Sequence, residues 1–346
     1  MPRRFAERLA VTKPYTASTP TPIDLPRDRV ITSLLLDVDF NLTTGATPGT
    51  TQDAYYRIFT SLSILGEANN SFVGWGGDVR APHFENKVFL PGGGRYIPAT
   101  VPGASATSVT RKAQLRIHFG VRPVSPDGTY NPYDLTAGIP AGQSSLVLTP
   151  TWAPATNLGS GWTINAATLL GVTVYGIQAK AGEVVKPAMI PAFQSAVFTP
   201  PNNTSGPSGV PYAVPTGHFW HSSMILSLAG TAPADNRSRS ALTDVGLKLP
   251  IAGNAQVAKW DWSSFEDDFG RATEVADDDG TTFGTPTIAA GPDMGVGRID
   301  LTTIGGAVNP LYGLDMRGAD QNNVMITMGV ATVGTVMFFH RFYDQA

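Results

Sequence analysis

Cysteine is absent from all 346 residues. That excludes disulfide scaffolds, thiolate zinc centres and cysteine nucleophiles. It leaves the redox compartment open. Charge is scarce, at 15% of residues against about a quarter in an average soluble domain. The 24 basic and 27 acidic residues leave a net charge of −3. The chain therefore lacks the basic excess of a dedicated nucleic-acid binder, and no direct sequence-specific contact with nucleic acid is expected. Helical periodicity is scarce too. One uncharged stretch, Gln321 to Phe339, nears membrane length, but Gly329 and Gly334 divide it into two strands and a turn. The N-terminus, MPRRFAERLAVTKP, begins basic, and Glu7 and Arg8 interrupt any apolar core of a signal peptide.

Catalytic signatures are missing as well. There is no GxSxG elbow and no Walker A loop. Of the five histidines, His218 and His221 stand three apart, a spacing that aligns metal ligands only on a helix. The surrounding pattern starts a strand, so a structural role is expected. His118 falls on the outer face of its strand and is expected to be solvated. The acidic run Asp277-Asp278-Asp279-Gly280 offers weak calcium candidates. It lacks the alternating spacing and downstream Glu of a calcium loop, so a solvated loop is the stronger reading. Trp152, Trp162, Trp260 and Trp262 are expected in a core rather than on a sugar-binding platform. No catalytic residue and no cofactor follow from this reading, and the chain is not expected to be an enzyme.

What is abundant is punctuation. Gly and Pro number 37 and 28, together 65 residues, which favours short strands between turns over long helices. The hydrophobic share of 42% suits a globular chain. The first convincing strand is Val30–Leu42, where Leu34, Leu36, Val38, Phe40 and Leu42 share one face and Ser33, Asp37, Asp39 and Asn41 the other. Leu34, Leu36, Val38 and Phe40 are expected to be buried, and Asp37 and Asp39 are not. Arg3–Leu9 is the clearest helical candidate. Seven prolines between Pro187 and Pro215 mark an interdomain crossing without long regular elements.

The strand series before that crossing recurs after it. Val30–Leu36 resembles Trp220–Leu226, and Phe59–Leu65 resembles Leu242–Lys248. Trp75 with Phe84-Glu85 parallels Trp260 with Phe265-Glu266, and Leu115–Phe119 parallels Arg298–Leu301. Asn131-Pro132 and Asn309-Pro310 each stand 15 residues before the corresponding strand residue, Leu146 and Val324. Repeated features in one order indicate a duplication. The expected organisation is an N-terminal arm (1–24), a first jelly roll (25–186), a Pro-rich crossing (187–217) and a second jelly roll (218–346). The fold class is all-β, with two tandem eight-stranded jelly-roll sandwiches. The first half carries an extra stretch of about 14 residues near Trp152–Asn165, a tower loop or lateral clamp in this reading.

The runs IDLPRDRVITSLLLDVDFNLTTG and AYYRIFTSLSILG, with SSMILSLAGTAPADNRSRSALTDVGLKLPIAG in the second half, resemble the double-jelly-roll major capsid proteins of tailless, internally membraned bacteriophages and related viruses. The resemblance implies a structural protein that forms pseudo-hexameric trimers tiling an icosahedral shell. It implies lateral contacts between capsomers, minor capsid or vertex proteins as partners, and an internal lipid membrane beneath. The expected location is the virion shell, assembled in the host cytoplasm. Arg3, Arg4, Arg8 and Lys13 form the expected assembly arm on the inner side. The alternatives are a two-domain carbohydrate-binding or glycan-active protein, or another virion component such as a vertex, spike or tail protein.

Overall fold

The computed structural model describes residues 2–9, 12–49, 53–77, 79–80, 82–85, 103–121, 129–200, 209–228, 237–238, 241–249, 256–266, 295–302, 313–319, 324–331 and 334–346. The chain is all-β and forms two compact units whose main division falls between Ala192 and Phe193. The first unit contains β1 (Arg3–Arg8), β2 (Lys13–Pro14), β3 (Ile23–Asp24), β4 (Val30–Thr44), β5 (Phe59–Leu65), β6 (Ser71–Gly76), β7 (Val109–His118), β8 (Val147–Trp152), β9 (Trp162–Ile164), β10 (Leu169–Gln178) and β11 (Met189–Pro191). The second contains β12 (Phe193–Phe198), β13 (Val210–Ala213), β14 (Phe219–Leu228), β15 (Leu242–Lys248), β16 (Gln256–Asp261), β17 (Val296–Asp300), β18 (Leu314–Asp315), β19 (Met325–Val330) and β20 (Thr335–Gln345).

In each unit eight strands are arranged as two layers of four with the same strand order, and the short β2, β9 and β18 pair onto β10, β4 and β14 beside them. In the first unit the orders are β1-β10-β4-β7 and β3-β8-β5-β6. In the second they are β12-β20-β14-β17 and β13-β19-β15-β16. The likeness extends to irregularities. The pairing of β4 with β10 skips Thr32, and that of β14 with β20 skips His221. The Thr32 carbonyl accepts from the Phe119 amide at 3.2 Å, and the His221 carbonyl from the Leu301 amide at 3.1 Å. Thr60 in β5 and Thr243 in β15 are bulged at matching places, as are Phe72 in β6 and Val257 in β16. A bulge leaves a residue unpaired and bends its strand. Three of them at equivalent positions support duplication more strongly than strand order alone.

The bulges also correct one pairing. Phe59–Leu65 and Leu242–Lys248 match in register, as the sequences suggest. In the long strands Ile31, not Val30, corresponds to Trp220. Residues 30–38 are buried on both faces, so alternation there carries no phase, and a one-residue slip exchanges the faces. Asn309 and Pro310 lie outside the described residues.

The first core is apolar. Leu34, Leu36, Val38 and Phe40 are buried as expected, together with Leu115, Ile117, Val172 and Val174. Trp152, Trp162 and Trp262 are buried, and Trp260 is half-buried on β16. Asp37 departs from expectation: it is only 6% exposed. It stands opposite Gly171 on one side and Gln114 on the other, and the Gln114 amide donates to it at 2.6 Å. A carboxylate on the outer face of a central strand is covered by its neighbours' long side chains, which alternation cannot foresee. His118 is likewise buried, with Nδ1 2.8 Å from the Tyr130 hydroxyl.

Strands reach further than expected into both flanking stretches. Residues 1–24 carry β1, β2 and β3, and 187–217 carry β11, β12 and β13. Arg3–Arg8 is therefore a strand, not a helix. Six residues cannot repay helix nucleation, whereas β10 supplies a ready backbone partner. Pro211 is accommodated because β13 ends its sheet, where one unpaired edge needs no donor. The extra stretch near 152–165 forms a short 3₁₀ turn (Ala155–Asn157) and β9, which pairs with the end of β4.

Candidate assembly surface

β1 pairs antiparallel with β10 from Arg3 opposite Gln178 to Arg8 opposite Thr173. It ends its sheet, and every residue except half-buried Phe5 is exposed. Backbone pairing and a peripheral clasp hold it. Arg29 donates to Glu7 at 2.7 Å and to Asp28 at 2.8 Å, and its guanidinium lies 4.8 Å from the Phe5 ring centre. Gln178 donates to Asp28 at 2.7 Å. The hydrogen bond from Arg29 holds the Asp28 carboxyl below its ordinary pKa, and Asp28 in turn raises that of Arg29.

Of the expected arm residues, Arg3, Arg4 and Arg8 lie on β1 and Lys13 lies on β2, opposite Leu170. Arg4 stacks on the Tyr133 ring at 5.5 Å. Arg8 lies across Gly171, where an added Cβ would meet its guanidinium at 3.0 Å. The outer face continues as an alternation of rings and cations. Tyr133 meets Tyr175 edge-on at 6.0 Å, and Arg116 lies 5.1 Å from Tyr175 and 4.8 Å from Tyr130. This ladder fixes the Asn131-Pro132 turn to the sheet, where the Thr32 hydroxyl donates to the Pro132 carbonyl at 2.6 Å. Burial pushes the Tyr130 hydroxyl up in pKa. Sequence reasoning missed Arg29, Arg116, Tyr133 and Tyr175. The one signal it had was the charged Asp28-Arg29 pair just before β4.

The counterpart face in the second unit is apolar. Met224, Leu226, Leu228, Met337 and Phe339 occupy it, all buried. Inside that unit lies a polar relay instead. Trp220 donates to Ser223 Oγ at 2.8 Å, Ser223 Oγ is 2.6 Å from His340 Nδ1, and His340 Nε2 is 2.9 Å from the Tyr212 hydroxyl. Trp220 takes one lone pair of the serine oxygen, so the Ser223 hydroxyl can donate to Nδ1 while Nε2–H donates to Tyr212, an arrangement in which each of these groups has a partner. Burial drives the His340 pKa down to about 3.

The remaining candidates separate. His218 pairs with Asp344 at 2.8 Å, and His221 occupies the bulge. Asp277, Asp278 and Asp279 lie outside the described residues. Among the described residues, no three metal-ligating side chains gather. No described helix is long and apolar enough to cross a membrane.

Neither a protein-family model nor a curated protein matches the sequence. Solved structures do match the fold. The atomic structure of Sulfolobus turreted icosahedral virus contains a chain with a TM-score of 0.71 at 14% identity, covering 99% of this chain and 91% of that one. The crystal structure of that virus's major capsid protein gives 0.69 at 14% identity, with 99% and 97% covered. The major capsid protein of bacteriophage PM2 gives 0.55 at 10% identity, with 99% and 98% covered. The fold is therefore that of the double-jelly-roll major capsid proteins, along the whole chain.

Proposed function

We propose that this chain is a major capsid protein, a structural subunit that tiles an icosahedral virion shell. The observation that carries the reading is the doubled sandwich itself, matched over 99% of the chain by capsid proteins of two different viruses. The subunit forms trimers of six sandwiches with a pseudo-hexagonal outline, since two like units per chain approximate a sixfold ring. Its partners are other copies of itself, then minor capsid or vertex proteins, with a lipid membrane beneath the shell. It acts without enzymatic chemistry, in the virion, after assembly in the host cytoplasm. Arg3, Arg4, Arg8 and Lys13 serve assembly from β1 and β2. The low charge fraction supports broad lateral contacts, because interface cores are depleted of charge. The test is to express the chain and measure its mass by light scattering, with electron microscopy of any particles. Trimers or larger closed assemblies are expected. A stable monomer that binds or cleaves a glycan overturns the reading.

A further inference from the structure

One end of the first unit gathers the start of β1, the start of β4 and the close of β10. Arg3 stands opposite Gln178 there, and Val30 opposite Ile177. The chain leaves β10 and turns back at once. The Glu183 amide donates to the Lys180 carbonyl at 2.9 Å, and Gly182 takes a φ of 84°, a value this kind of turn reserves for glycine. The return leg is fastened where the Ala188 amide donates to the Leu135 carbonyl at 3.1 Å. Residues 180–184 and Lys186 are exposed.

Two features meet on this loop. Val184 is 79% exposed, and among the described residues Val197 is the only other exposed large hydrophobic side chain. A lone exposed valine is ordinary, but this one stands among cations. Lys180 and Lys186 flank it along the chain, Arg3 and Arg4 begin the strand beside β10, and Arg27 is exposed just before β4. Among the described residues no carboxylate forms an ion pair with any of these five. The acids of this end are held elsewhere. Arg29 engages Glu7 and Asp28, and Glu67 accepts from the Ser144 amide at 3.3 Å. Glu183 is the one carboxylate of the loop.

We infer that this end of the first unit, with Val184 at its tip, docks on an anionic lipid bilayer. The inference rests on the shell-subunit reading and names the surface that meets the membrane in it. Cations alone suit lipid phosphates and nucleic-acid phosphates equally. An apolar tip gains only where it leaves water. The boundary between headgroups and acyl chains receives such a side chain while neighbouring cations stay at the phosphates. The Glu183 carboxylate and the polar backbone of the turn keep the contact at that depth. In a cyclic trimer every copy shows the same end on the same side, so three loops bind together.

The absence of cysteine allows a site-specific test on the full chain. Val184→Cys, and as a control Thr47→Cys beyond the far end of β4, each carry an environment-sensitive dye. Trimers are mixed with phosphatidylglycerol or phosphatidylcholine vesicles and followed by flotation and dye emission. Circular dichroism and native mass confirm that each variant keeps the wild-type fold and assembly. Flotation with phosphatidylglycerol only, with a blue shift at position 184 and none at position 47, is the expected result. Lys180→Gln with Lys186→Gln should weaken binding about 25-fold, and Val184→Ser about tenfold. Trimers that ignore phosphatidylglycerol, or bind it equally well with these loop variants, overturn the inference and leave the shell reading intact. A dye at position 184 that responds to duplex DNA and not to vesicles overturns it in favour of nucleic acid. A shift on trimer formation alone, unchanged by vesicles, overturns it in favour of a contact between copies. A wild-type chain that never oligomerises overturns the shell reading, and this contact with it.

Discussion

The two sandwiches share strand order and three bulges, yet they distribute polarity in opposite ways. In the first, the core at Leu34, Leu36, Val172 and Val174 is apolar, and the outer face of the long strand's sheet carries Asp37, Asp39, Arg116, Arg4 and Arg8. In the second, Ser223 and His340 occupy the core positions equivalent to Leu34 and Val174, while Met224, Leu226 and Met337 fill the outer face. Topology thus tolerates an exchange of polar and apolar side chains at equivalent sites. It depends on a pleat whose two faces are both covered in β14, whichever kind of side chain covers each.

The largest effect expected is at the apolar core. Leu36→Asp places an unpaired carboxylate between sheets, at a cost above about 4 kcal/mol, and no soluble first unit is expected. Ile225→Asp should do the same to the second unit. A soluble yield and melting temperature close to wild type would refute the assigned faces. Next comes the buried pair of Arg80 with Asp53, 3.1 Å apart and both without solvent contact. Asp53 sits at a φ of 55°, which Asn tolerates. Asp53→Asn removes the charge without backbone strain, and a loss of about 3–5 kcal/mol in urea unfolding is expected.

The relay sharpens the comparison through pH. His340 is neutral in the fold, with a pKa pushed down to about 3, while the unfolded chain takes up a proton near pH 6.5. The folded pKa lies below the unfolded one, so stability is unaffected above about pH 6.5 and falls as pH drops toward 3. The slope is up to about 1.4 kcal/mol per pH unit. His340→Gln cannot titrate and should remove roughly one proton from that slope, measured by urea unfolding at pH 7, 6, 5 and 4. An unchanged slope would show that the histidine is not the responsible group.

Deleting residues 1–13 removes β1 and the Glu7–Arg29 contact. A loss of about 1–3 kcal/mol is expected from the first unit, read as a lower melting temperature with the fold retained. The smallest effect is Gly171→Ala. Its methyl group displaces the Arg8 guanidinium and should cost under about 1 kcal/mol. A second-site Arg8→Ala should make that substitution neutral.

Much of this architecture was legible in residue order. The matched runs at Phe59 and Leu242, and at Trp75 and Trp260, fall on equivalent strands, because period-two burial on a one-sided sheet leaves a readable trace. β1 and β12 left none. The first reads as a charged tail and the second as part of a proline-rich crossing, yet they are the same strand of two copies. Neither has a buried alternating face, so only the partner strand makes it a strand. Asp37 and His118 were misread for a related reason: alternation tells faces apart but cannot say what lies over the outer one.

What the sequence determined by itself is the class and the doubling. Absent thiols, sparse charge, dense Gly and Pro and a repeated order of strands suffice, since composition and periodicity are local properties of the chain. The tertiary structure decided the register of the long strands, where burial on both faces erases the phase. It decided the pairing of His340 with Ser223 and Tyr212, which stand 117 and 128 residues away. It decided also that the first six-residue strand is an edge rather than a tail. Each depends on which distant backbone lies alongside, and no local pattern of residues encodes that neighbour.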